Sequence, residues 1–289
     1  AACCGARAAP NEDAGMPAMR MMACLTILVA GVLSAWPAAQ PPVFKAQSDL
    51  VVLHASVRDR GGRYISGLER EAFTVIDAGK PQTIAMFAAE DVPATIGILI
   101  DNSNSMRPHR EIVIASAVEF LKHSLPRDEM FVMTFNETVR QAWGPSIAGQ
   151  TNSGRFASAM SRAIVARGMT AIYDGILEGI KRVSDGMHTR QVLIVVSEGD
   201  DNASKATLEE VIKHVHESDA VIYTIALTDP LTREGNPGLM RRLARETGGE
   251  SYHPRRADEV TEAFDRIAKD IRSGYTLAYA PTAGSRNDD

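Results

Sequence analysis

From residue 93 onward the chain alternates between two kinds of segment, and this alternation narrows its possible folds to a few. Continuous apolar runs, "TIGILI", "MFVMTF", "QVLIVVS" and "AVIYTIAL", are separated by stretches with apolar residues at helical spacing, such as "HREIVIASAVEFLKHS" and "DEVTEAFDRIAKDIRSG". Strands without polar alternation have both faces covered, and helices between them provide the crossover connections of a parallel sheet. The pattern predicts an α/β fold: a doubly wound, mainly parallel sheet over residues 93–282. "RFASAMSRAI", "AIYDGILEGIKRVSD", "TLEEVIKHVHES" and "GLMRRLARETGG" supply further helices, "TVRQAW" a shorter strand suited to an edge, and "SYH" a short strand. "YTLAYAP" reads as the closing strand.

Residues 48–92 read differently. "DLVVLHASVRD" alternates apolar and polar positions from Leu53 onward, and "FTVIDAGKPQTIAMF" has the form of a hairpin with "DAGKP" at its turn. "SGLEREAF" suggests a helical turn between them. A small β-rich unit is expected here, after a linker at 40–47.

The first residues carry an address signal. Met19-Arg20-Met21-Met22 precedes the apolar "ACLTILVAGVLSAW" and the small, turn-prone "PAAQPP". A basic start, a short apolar core and small residues after it describe a secretory signal peptide, here 19–39. Its apolar core is shorter than the roughly 20 residues of a spanning helix. An uncleaved anchor is the alternative, because Pro37 disturbs the cleavage position. Residues 1–18 are expected to form a disordered leader and 283–289 a flexible tail. Cys3, Cys4 and Cys24 all fall in or before the signal, so an exported chain would carry no disulfide framework and no thiol chemistry. A net charge of -5 with dispersed Lys and Arg offers no general attraction for nucleic acid or anionic lipid.

Three loops gather oxygen-bearing side chains. Asp101, Ser103 and Ser105 alternate directly after "TIGILI"; Thr170 lies in "ARGMTAIYDG" between two helices; Ser197, Glu198, Asp200 and Asp201 follow "VLIVV". Hydroxyls and carboxylates without sulfur or imidazole suit a hard divalent cation, Mg2+ before Mn2+ or Ca2+. His214 and His216 stand two apart on a predicted helix and point away from each other, which does not suit zinc. Asp174, Asp200, Asp201 and Asn202 read as helix-end and loop residues.

At these residues the chain resembles a von Willebrand factor type A (VWFA) domain, whose Rossmann-like fold carries a metal-ion-dependent adhesion site (MIDAS). "DNSNS" matches the family's Asp-x-Ser-x-Ser loop, "GMT" before "AIYDGI" its Thr loop, and "VVSEGDD" its strand running into Ser/Thr-Asp-Gly. Secreted bacterial proteins with a small β segment before this domain are the nearest resemblance. It implies a metal set of Asp101, Ser103, Ser105, Thr170 and Glu198, with Glu198 where the family has Asp. The longer carboxylate leaves two arrangements open: action through a water, or replacement of that water. It also implies a non-enzymatic protein-binding or cell-adhesion module, whose partner is another protein presenting an Asp or Glu carboxylate.

Two further readings stay open: an Mg2+-dependent phosphohydrolase, and a VWFA scaffold with a degenerate metal site. Against the first, strand-end aspartate phosphotransferases carry a second acid where Ser103 stands. GxSxG, Walker and GxGxxG patterns do not occur.

Overall fold

A computed structural model describes residues 50–281 apart from 58, 61–64, 66, 90–91 and 228–234. The expected leader, signal peptide, linker and tail lie outside the described residues.

The strand β1 (Val51–Ser56) is followed by a short helical turn at Arg70–Ala72 and a hairpin of β2 (Val75–Asp77) and β3 (Lys80–Gln82). Ala78 and Gly79 at the hairpin tip both have left-handed backbone, with φ of 47° and 75°. That is the paired positive-φ turn whose twist matches two antiparallel strands. Next come β4 (Ile84–Ala89) and β5 (Ala94–Asp101), then α1 (Arg110–His123), β6 (Glu129–Phe135) and β7 (Val139–Ile147). Two helices, α2 (Ser153–Ala163) and α3 (Ile172–Ser184), precede β8 (Arg190–Ser197). The remainder runs α4 (Leu208–Glu217), β9 (Val221–Ala226), α5 (Pro237–Glu246), β10 (Ser251–Tyr252), α6 (Ala257–Arg272) and β11 (Gly274–Tyr279). Each of the six helices forms where apolar spacing predicts one.

The main sheet has the order β10-β9-β8-β5-β6-β7, parallel except for β7, which pairs antiparallel with β6 at one edge. Every residue of β5 is buried, because helices cover both faces. Ile96, Ile98 and Ile100 pack with Val113, Phe120 and Phe264 on one face. Leu99, Leu193 and Val195 pack with Ile172, Ile176 and Leu239 on the other. Alternate residues of each strand thus serve two cores, which is why these strands show no polar alternation. Fully burying each such Ile or Phe side chain contributes about 1.5–3 kcal/mol.

Helix ends are secured locally. Thr207 and Glu210 form a reciprocal capping box on α4, while the Asn152 and Asn236 side chains accept from the backbone N–H of the third residue of α2 and α5, Arg155 and Leu239.

The closing strand differs from expectation. β11 lies between β1 and β4 in a separate three-stranded antiparallel sheet, so the amino-terminal β segment is completed by residues far along the chain. The Tyr275 ring lies against Phe73 and Phe87, with centroids 4.8 and 5.9 Å away, and its hydroxyl donates to the Ile65 carbonyl. Neither β1 nor β4 has another partner among the described residues, and β11 is buried throughout. Gly274 permits the entry of β11, since an added Cβ there would lie 2.0 Å from Arg190 Nη2. Arg190 begins β8, so the small sheet adjoins the amino-terminal ends of the parallel strands. Eight residues of β5, roughly 26 Å of strand, lead from that pole to the opposite rim.

Candidate metal centre

The carboxyl ends of β5, β6, β8 and β9 form one rim, and the chain leaves β5 toward β6 on one side while β8 lies on the other. Such a reversal of strand order opens a crevice at the strand ends. Asp101 is the last residue of β5 and only 1% exposed. Its Oδ1 accepts from the Ser103 backbone N–H at 2.8 Å, and its Oδ2 from the Ser197 hydroxyl at 2.7 Å. Ser197 in turn accepts from the Gly199 N–H at 3.0 Å. Burial raises the Asp101 pKa above the ordinary carboxylate value; the hydrogen bonds from Ser103 and Ser197 oppose this, and the charge of Asp200 adds to it. A carboxylate has about four lone-pair sites, so three bonds, the Ser103 side chain's included, leave limited acceptor capacity on a group whose ionised form is poorly solvated.

The Ser103 and Ser105 hydroxyl oxygens are 3.1 Å apart, Ser103 buried and Ser105 exposed. Adjacent ligands of an octahedral cation at 2.0–2.1 Å lie about 2.9 Å from each other. The two hydroxyls are hydrogen-bonded to each other slightly beyond that distance, and the donor chemistry fits a hard divalent ion.

Thr170 is brought to this rim by backbone contacts. Its N–H donates to Asn202 Oδ1 at 2.8 Å, and its carbonyl accepts from the N–H groups of Asn202 and Ala203 at 2.9 and 3.0 Å. Its side chain is buried, and no side-chain hydrogen bond of its hydroxyl occurs among the described residues. Glu198 is also buried and follows Ser197; its carbonyl accepts from the Asn236 N–H at 2.9 Å. Hydrogen bonds join Asp101, Ser103, Ser105 and Ser197 into one cluster, while Thr170 and Glu198 stand on neighbouring loops of the same rim.

The loop before Thr170 is held with unusual completeness. Asn102 Oδ1 accepts from the N–H groups of Val165 and Ala166 at 2.8 and 2.7 Å, and its Nδ2 donates to the Ala163 carbonyl at 3.1 Å. Its backbone carbonyl accepts from Arg167 N–H, and Asn104 N–H donates to the Gly168 carbonyl at 3.1 Å. From the turn between β6 and β7, Asn136 Nδ2 donates to the Arg167 carbonyl, and Glu137 Oε1 accepts from the Met169 N–H at 2.8 Å. That bond holds the Glu137 carboxyl below its ordinary value. Ala166 adopts φ of 51°, a conformation that costs an L-residue roughly 1–2 kcal/mol, and Gly168 adopts 88°. The bonds to Asn102 impose this path.

The remaining acids serve helix ends. Asp201 Oδ1 accepts from Ile172 N–H at 3.0 Å and from the Ser204 hydroxyl, which itself accepts from Tyr173 N–H. Asp174 accepts from the Lys205 and Ala206 N–H groups. His214 and His216 are exposed on α4, the latter paired with Glu246. Among the described residues no group of three His, Cys, Asp or Glu side chains could hold a metal; any cation at this rim depends on hydroxyls.

Sequence reading overlooks Asn102 and the specific bond from Ser197 to Asp101. The available signal is an Asn directly beside the strand-end Asp, since Asn amides mimic backbone groups in turns.

A family model, von Willebrand factor type A domain, matches residues 95–266. No curated protein matches the sequence. Among solved structures, a von Willebrand factor type A protein from Catenulispora acidiphila aligns with a TM-score of 0.53 at 16% identity, over 63% of this chain and 43% of that one. Proximal thread matrix protein 1 from the mussel byssus, with a zinc-occupied MIDAS motif, aligns at 0.53 and 14% identity, over 68% and 49%. The pilus adhesin SpaC from Lactobacillus rhamnosus GG aligns at 0.51 and 12% identity, over 63% and 31%. The aligned region thus spans less than half the length of each of these structures, and at such identities the likeness is one of fold.

Proposed function

Because the chain belongs to the von Willebrand factor type A family, we propose that it is a protein-binding, adhesion-type module that captures a partner's acidic side chain through a divalent cation. The observation that carries this reading is the cluster of the Ser103 and Ser105 hydroxyls, 3.1 Å apart, with the buried Asp101 carboxylate that Ser103 and Ser197 hold. Ser103, Ser105 and Thr170 hold the ion as neutral oxygens, with Asp101 and Glu198 as the anionic members. Mg2+ is the first choice, with Mn2+ or Ca2+ as alternatives; the zinc-occupied motif of the mussel protein adds zinc to the ions worth titrating. When bound, the cation supplies an electrophilic point that accepts a carboxylate oxygen.

This chain's own residues do the rest. Ser197 and the Ser103 N–H fix the Asp101 carboxylate in one orientation. Asn202 holds Thr170, and Asn102 holds the loop leading to it. Few direct charges reach the ion, so it keeps a strong attraction for an outside carboxylate. This role requires no covalent bond to be made or broken. Export through the segment 19–39, to a secreted, periplasmic or envelope location, accords with an adhesive role. Among the described residues no helix is long and apolar enough to cross a membrane.

Calorimetric titration with Mg2+ and Mn2+ tests the proposal, with Ser103→Ala as control. Saturable heat in the wild type, lost or strongly weakened in the variant, is expected. Absence of heat in the wild type refutes the metal reading, and cation-dependent phosphate release from a generic phosphoester, lost in Asp101→Asn, refutes binding as the function.

A further inference from the structure

Val165 and Met169 are 47% and 51% exposed, and both lie on the loop that delivers Thr170. The other large apolar side chains exposed to this degree among the described residues lie elsewhere. Leu50, Val52, Leu53, Ile76 and Met86 are on or beside the strands that precede β5, and Met187 is in the connection between α3 and β8. An exposed Met on a mobile loop would be ordinary. Here the loop is fixed by seven hydrogen bonds, from Asn102, Asn104, Asn136 and Glu137. Its side chains are therefore displayed in fixed positions, which lowers the entropic cost of binding.

Charge surrounds them on the same side. Arg107 Nη2 donates to Asn104 Oδ1 at 2.9 Å and reaches the Ala166 carbonyl at 3.5 Å, so its guanidinium bridges the two loops. Arg167 is exposed between Val165 and Met169, and Glu137, which accepts from the Met169 N–H, lies near enough for its charge to interact with that of Arg167. The exposed Asp200 lies on the β8 side. Two arginines against the one Glu137 carboxylate leave the Val165–Met169 side of the rim apolar with a net positive balance, while Asp200 makes the β8 side acidic.

We infer that Val165, Met169, Arg107 and Arg167 form a selectivity collar that recognises an acidic segment with an apolar side chain next to the carboxylate taken by the cation. This rests on the metal reading above and deepens it. The carboxylate meets the ion beside Ser105 and Thr170, and the neighbouring apolar side chain lies over Val165 and Met169. A further acidic residue faces Arg167. The apolar contact supplies affinity, and the arginines set orientation and association rate.

The test pans a random dodecapeptide phage library on the full chain in Mg2+, elutes with a chelator, and measures a fluorescent synthetic copy of the most enriched peptide. Calorimetry of the wild type with Mg2+ is run first, so that failure of the metal reading is seen separately; no heat there overturns both proposals. With heat present, the enriched peptides are expected to share an Asp or Glu with an apolar residue within two positions. Their affinity should fall roughly tenfold or more in a Val165→Ser/Met169→Ser variant whose far-UV circular dichroism is unchanged. Arg167→Gln should flatten the salt dependence of association. Enriched peptides without an apolar position, no enrichment despite metal binding, or equal affinity for the serine variant overturns the collar and leaves the metal site standing.

Discussion

Replacing Asn102 by Ala isolates the largest single contribution to the order of the rim. The change removes three side-chain hydrogen bonds, to Val165 N–H, Ala166 N–H and the Ala163 carbonyl. The three losses are unequal. Val165 is exposed and its N–H can turn to water, Ala163 is half-buried, and Ala166 is fully buried. A buried donor left without a partner costs about 1–3 kcal/mol and a replaceable bond about 0.5–1.5, so the total is roughly 2–4 kcal/mol. For a domain of this size that lowers Tm by on the order of 5–15 °C. Urea unfolding followed by circular dichroism measures it. A second substitution checks the cause. Ala166→Gly relieves a left-handed alanine worth roughly 1 kcal/mol, but only while Asn102 enforces that geometry, so the gain should shrink in the Asn102→Ala background. A loss below about 0.5 kcal/mol for Asn102→Ala, or an Ala166→Gly effect that is the same in both backgrounds, refutes the view that Asn102 dictates the loop.

Two more outcomes follow from the buried groups. The folded metal-free chain holds the Asp101 pKa above 3.8; the stability this group contributes is full below the unfolded value and is lost as pH rises through the folded one. A cation offsets that loss, so stabilisation by Mg2+, read as a Tm increase, should grow as pH rises through this window and vanish in Asp101→Asn. A Tm increase that does not vary with pH contradicts it. Gly97→Ala should destabilise by about 1–3 kcal/mol, because the new Cβ would lie 2.6 Å from the Phe131 ring and 3.0 Å from Val183; an unchanged denaturation midpoint would show that the core to which both belong yields more easily than its packing implies.

The sheet, its helices and the strand-end position of Asp101, Ser103 and Ser105 were legible in the sequence because each follows from local pattern. Apolar runs report two covered faces, and "DNSNS" reports a loop at a strand's end. Partnership over long range was not legible. β11 reads as an ordinary closing strand, since no local property of "YTLAYAP" says that its neighbours are β1 and β4 rather than the main sheet. The organisation of the rim was half-visible. Hydroxyls and carboxylates announce cation chemistry by type, whereas Asn102 and Ser197 act through positions set only when loops some 60 to 100 residues apart meet. Glu198 shows the same limit, because its register with the family's Asp is readable but its carboxylate's place at the rim is a matter of three dimensions.

The small sheet also orders events during synthesis. Tyr275 reaches back 210 positions to Ile65, so β1 and β4 leave the ribosome long before the strand that separates them exists. Until 274–279 emerge, both strands carry unpaired backbone and Phe73 and Phe87 lack the Tyr275 ring. The parallel sheet, by contrast, can be assembled once α6 is complete. A nascent chain held at that stage presents both strands without their β11 partner, the kind of surface that chaperones and like chains capture, and translation of β11 covers one edge of each.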